Sequence, residues 1–172
     1  MATMEIGDEA KRAPRSLAPD PVEKAVAVGA LAMLVAMVVA LAIGFHLWTR
    51  IPVIVWLHML TIAAALLLTP LLMLRQRGTR WHRRAGWAWC IAMAATAALS
   101  LFIGGFSNGR WSLIHILSAF TLLGVYGVVR NARAHRVSQH RATVRAISIG
   151  ALLVAGFLTL LPTRTLGHLL FG

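Results

Sequence analysis

Beyond Lys24 the chain has no carboxylate side chain. Its five acidic residues, Glu5, Asp8, Glu9, Asp20 and Glu23, all lie near the start of a sequence of 172 residues. This excludes paired-carboxylate hydrolysis, carboxylate cages for hard cations and Asp or Glu proton relays from the remainder. Cysteine is almost absent. Cys90 stands alone in an apolar stretch, so an internal disulfide is excluded and a small buried hydrophobe is expected. Charge is scarce as well, at 13% of residues against about 25% in soluble domains. A phosphate-cradling glycine loop, a nucleophile elbow and a zinc-ligand spacing are all missing, so nothing supports a soluble enzyme active site.

What remains is apolar: 59% of the residues are hydrophobic. Too few polar side chains are left to cover a globule in water, so lipid is the expected solvent. Residues 1–24 are polar and carry Pro14, Pro19 and Pro21, a composition that predicts a flexible tail. The apolar run that follows is too long for a signal-peptide core. A helix crossing about 30 Å of hydrocarbon needs about 20 residues. Five segments meet this requirement: 25–48, 52–74, 85–106, 111–129 and 146–161 or longer. Pro70 predicts a kink in the second and Pro162 a break in the last. The fold class is therefore all-α integral membrane, a five-helix domain over 25–172.

The net charge of +12 does not imply nucleic acid, because the basic residues sit in short clusters between apolar runs. Arg75, Arg77, Arg80, Arg83 and Arg84 fill one connection, and Arg130, Arg133, Arg136, Arg141 and Arg145 another. The tail adds Lys11, Arg12, Arg15 and Lys24, whereas the opposite side holds only Arg50, Arg110 and Arg164. Lys and Arg accumulate on cytoplasmic loops. The expectation is a multi-pass protein of a bacterial inner membrane, N-terminus cytoplasmic and C-terminus outside, its loops against anionic lipid. Trp48, Trp56, Trp81, Trp87 and Trp111 fall near segment ends, where indoles favour the interface. Gly104-Gly105 and Gly124-x-x-Gly127 permit close helix contact.

Two hairpins look alike. His58-Met59-Leu60-Thr61 in the second segment matches His115-Ile116-Leu117-Ser118 in the fourth. Each is followed by an Arg-rich loop, one ending Trp81-His82-Arg83 and the other Gln139-His140-Arg141. His58 and His115 fall about two turns inside the outer helix ends, and His82 and His140 at the inner boundary. Two histidines per membrane face on alternate helices is the layout that a pair of b-type haems needs. For His58 and His115 the other reading is interhelical hydrogen bonding. For His82 and His140 it is contact with lipid phosphate. Arg83, Arg84 and Arg141 adjoin the histidines and are candidates to hold a haem propionate, a lipid phosphate or another anion, since guanidinium pairs planar anions with two bonds.

His58, Pro70, His82-Arg83 with Gly86, His115, His140-Arg141 and Pro162-x-Arg164 together resemble the bacterial membrane family catalogued as domain of unknown function 2306, over about Val53 to Gly172. No activity carries over from that family. The histidine layout is also similar to two-haem transmembrane cytochromes of the ascorbate- and ferric-reductase type. That likeness implies that the last four helices form a haem-cytochrome-like four-helix bundle. It pairs His58 with His115 on an outer haem and His82 with His140 on an inner one. Here the inner histidines sit in charged boundary segments, which departs from the pattern.

The leading expectation is a haem b electron-transfer protein linked to a quinone or another redox partner. A cofactor-free accessory subunit is the alternative. A small-solute transporter fits less well, because the repeat is parallel and Pro70 occurs in one copy only.

Overall fold

The computed structural model describes residues 18–103 and 113–160, all of them in helices or the turns between them. We label the helices α1 (Pro21–Ile43), α2 (Val53–Leu74), α3 (Arg80–Ile103), α4 (Leu113–Arg133) and α5 (Val137–Thr159), with a 3₁₀ turn at Phe45–Arg50. Within α5 the stretch Ser148–Val154 is π-helical. Gly104-Gly105, Trp111, Pro162 and Arg164 lie outside the described residues.

Among the described residues four helices, α1, α2, α3 and α5, are long and apolar enough to cross a membrane. Only 22–33% of each apolar window is buried inside the protein. Large side chains such as Val35, Leu60, Ile91, Leu123 and Phe157 point outward. A soluble monomer rarely exposes so much contiguous apolar surface; a bilayer suits it.

Several boundaries differ from those expected. α1 starts at Pro21, so the end of the supposed flexible tail is its first turn. Asp20 caps the helix: its Oδ1 accepts from the Glu23 backbone N–H at 3.0 Å, and Glu23 Oε2 accepts from the Asp20 N–H at 3.1 Å. This reciprocal capping box, with Pro21 at the first helical position, was legible in Asp20-Pro21-x-Glu23. Likewise α3 begins at Arg80 and α5 at Val137, several residues before their apolar stretches, because arginine is a good helix former that hydropathy alone reads as loop. α2 continues through Pro70.

Each helix packs on its neighbours in sequence, and the π-helical part of α5 returns to α1. Glycines set the closest approaches. A Cβ at Gly124 would lie 2.6 Å from Ile147 Cγ1, and one at Gly127 would lie 3.3 Å from Thr143, so both residues of the predicted motif face α5. Gly156 would meet Met33 at 2.8 Å and Gly29 would meet Leu153 at 3.1 Å, which joins α5 to α1. The central cluster includes Ala30, Ala65, Leu66, Trp89, Met93, Val128, Ile147 and Leu152.

Polar side chains tie the apolar helices in pairs. Trp89 Nε1 donates to Thr69 Oγ1 at 2.9 Å, and that hydroxyl donates to the Ala65 carbonyl. Thr96 Oγ1 donates to Thr61 Oγ1 at 2.8 Å, and the Ser100 and Ser118 hydroxyls are 2.6 Å apart. Such bonds between apolar helices contribute about 0.6 kcal/mol on average. Trp89→Phe is expected to lower stability by about 1 kcal/mol, read as a small downward shift of the thermal midpoint in detergent; an unchanged midpoint would count against the bond.

Candidate functional site

The basic ends of the helices converge. Glu23 is 2% exposed and sits among three guanidinium groups. Arg141 donates through Nε to Oε1 at 3.1 Å and through Nη2 to Oε2 at 3.0 Å. Arg145 reaches Oε1 at 3.0 Å and also pairs with Asp20. Arg77 pairs with Glu23 from the turn between α2 and α3. A buried carboxylate needs such partners, because an uncompensated buried charge costs several kcal/mol. The last acidic residue of the chain therefore lies at the core rather than in a tail. It links α1 to α2 and α5.

This cluster forms one wall of a cavity of about 300 Å³. α3 contributes His82, Arg83, Gly86, Trp87, Trp89 and Cys90, and α5 contributes His140, Arg141 and Val144. Val128, Val129, Ala132 and Arg133 of α4 and Leu72 and Met73 of α2 complete the lining. His82, Gly86 and Cys90 are spaced by four residues, so one face of α3 turns towards the space.

Two of the four candidate histidines meet here, His82 and His140. His140 Nδ1 is 3.1 Å from the Val128 carbonyl oxygen. A carbonyl can only accept, so Nδ1 carries the proton and Nε2 keeps its lone pair in the neutral ring. His82 Nδ1 is buried with no hydrogen-bond partner among the described residues. The outer histidines are not part of this cavity. His58 Nδ1 donates across to the Thr96 carbonyl at 3.1 Å, and His115 lies on α4, three residues before Ser118.

The arginine candidates separate. Arg141 already has its anion, Glu23. Arg83 borders the cavity and donates to the Gly78 carbonyl at 3.1 Å. Arg84 is exposed and does not line it. Sequence reading missed Arg133, which lines the space and stands 5.8 Å over the Trp87 ring, and missed Glu23, Arg77 and Arg145. Among the described residues no group of three or more His, Cys, Asp or Glu side chains is placed to hold a metal ion, although a haem needs only two imidazoles.

No family model, no curated protein and no solved structure matches the chain.

Proposed function

We propose that this chain is a multi-pass protein of a bacterial inner membrane that binds one haem b between His82 and His140 and carries single electrons. The observation that carries the reading is the sharing of one cavity by two imidazoles from different helices. Indole and valine side chains wall it, and Arg83 and Arg133 border it. The donor chemistry fits. A ligating imidazole usually donates its other N–H to a backbone carbonyl, as His140 does to Val128 through Nδ1, leaving Nε2 as its ligand atom; in His82 the buried nitrogen without a partner is Nδ1, which would be the ligand atom there. Arg83 and Arg133 would face the propionates. Bound there, haem would supply one-electron chemistry, while burial and the surrounding charges tune its potential. Both His-Arg pairs, His82-Arg83 and His140-Arg141, line this cavity.

His58 donates to a carbonyl in the same manner, so its bond alone does not set it apart. The shared cavity is what favours the inner pair. Absorbance of the purified protein, oxidised and dithionite-reduced, tests the proposal. A Soret band and a reduced α-band are expected, lost in His82→Ala and His140→Ala and kept in His58→Ala. Absence of the bands after expression with ample haem overturns the reading. The volume favours a second reading, because 300 Å³ is at the low end of ligand pockets, about 300–1,000 Å³. A quinone head group is smaller than a haem, and quinone extracted from haem-free protein would favour this reading.

The topology belongs to the same proposal, with α4 as a fifth span and the arginine-rich ends in the cytoplasm. Its 21 residues give a length of about 32 Å, and its chain neighbours α3 and α5 flank it. In a Cys90→Ala background, His135→Cys is expected to react with a membrane-impermeant maleimide in inside-out vesicles and not in intact spheroplasts. The reverse pattern overturns the orientation.

A further inference from the structure

Six glycines lie inside the described helices: Gly29, Gly86, Gly124, Gly127, Gly150 and Gly156. Five of them have a packing reason. Gly29, Gly124, Gly127 and Gly156 each face a side chain on a neighbouring helix, and a Cβ at Gly150 would come within 3.1 Å of Phe120. Gly86 has none, since a Cβ there would meet nothing within 4 Å. Its backbone is ordinary helix, so no turn requires it either. Glycine is a poor residue for a helix interior, because it gives up the most backbone freedom on folding. A position that tolerates a side chain by every internal contact nevertheless lacks one, and it borders the cavity.

We propose that Gly86 is a specificity-determining residue, one that keeps the α3 wall flat so that the face of a planar conjugated ring can lie against the backbone between His82 and Cys90. The proposal rests on the reading of this cavity as a ligand site. Other parts of the lining suit a flat face, since Val128, Val129 and Ala132 of α4 and Val144 of α5 are short side chains without polar atoms. The lining also holds polar groups, His82 one turn before Gly86, His140, Arg83, Arg133 and Glu23 among its arginines. A planar ring that carries polar groups matches a lining that is both apolar and polar. A flexible acyl chain would gain nothing from a missing Cβ at one point, because it bends around a methyl group.

The test uses the full chain in detergent, as wild type, Gly86→Ala, Gly86→Leu and Ala132→Phe. The last variant fills the same space from α4 and keeps the test alive should Gly86→Leu fail to fold. Haem per polypeptide is read from the pyridine haemochrome. Affinity for a short-chain ubiquinone is read from quenching of tryptophan fluorescence, since Trp87 and Trp89 line the cavity. Gly86→Ala is expected to melt at a higher temperature than wild type. Gly86→Leu and Ala132→Phe are expected to melt near it while losing ring binding by about ten- to hundredfold, the scale set by overpacking a fitted site. Loss of haem in both filled variants supports the inference together with the haem reading. No haem in any protein, with quinone bound by wild type and lost in the filled variants, supports the inference and overturns the haem reading. A ring that binds wild type and Gly86→Leu equally overturns the inference alone. If neither ring binds wild type, both are overturned.

Discussion

Glu23→Gln is expected to destabilise the protein by about 3–5 kcal/mol. The substitution keeps the shape and removes the charge. Arg77, Arg141 and Arg145 would then face one another across a buried position, with Asp20, one-third exposed, as the remaining carboxylate. Removing one partner of a buried ion pair costs more than the pair contributes, because the orphaned charge keeps its desolvation penalty. The three arginines are 12–26% exposed, which places the expected loss towards the lower end. Thermal unfolding in detergent reads it as a fall of several degrees in the midpoint. A double variant, Glu23→Gln with Arg141→Met, should recover part of the loss by removing one of the stranded cations. A single variant as stable as wild type would show that Glu23 is not the charge these arginines need.

Gly124→Ala is expected to cost about 1–3 kcal/mol, the range for overpacking a well-filled core. The added methyl would lie 2.6 Å from Ile147 Cγ1 and 2.7 Å from its Cδ1, and Ile147 is only 1% exposed. Ile147 is β-branched and held on α5 with few rotamers open to it, so its side chain or the helix that carries it has to shift. Replacing Ile147 with Ala in the same chain removes the clashing atoms and should restore part of the stability. The opposite sign is expected at Gly86, where the new methyl enters open space. A glycine scan that returned equal effects at 86 and 124 would refute the packing account of both.

Four of the five expected apolar spans were plain in the sequence because burial in lipid is an all-round requirement that composition displays directly. The segregation of arginines to one end was equally legible, and so was the close approach at Gly124 and Gly127. The helix starts were not, because hydropathy falls across the polar stretches that open α3 and α5, whose arginines and Gln139 are nevertheless good helix formers. Glu23 was missed for a related reason. It was counted with the tail by its polarity, although the capping box around Asp20 and Pro21 already marked a helix entrance. The inner histidines could be paired from the repeat because each follows an Arg-rich connection. Their meeting in one cavity depends on how far α3 and α5 extend past the apolar stretch, which no short motif reports. Gly86 appeared in the sequence only as part of a motif. Its open surroundings are a property of three helices at once.

The partners of Glu23 have a consequence for the order of assembly. They lie 54, 118 and 122 residues further along the chain, and ribosomes add residues at roughly 5–20 per second. The first helix therefore enters the bilayer several seconds before Arg141 and Arg145 exist. During that interval its carboxylate has to stay hydrated among the lipid head groups, with Arg77 as its earliest counter-charge. Only the arrival of the last helix completes its set of three guanidinium partners, so the latch between α1 and α5 closes late, and any event that delays the C-terminal third delays that latch.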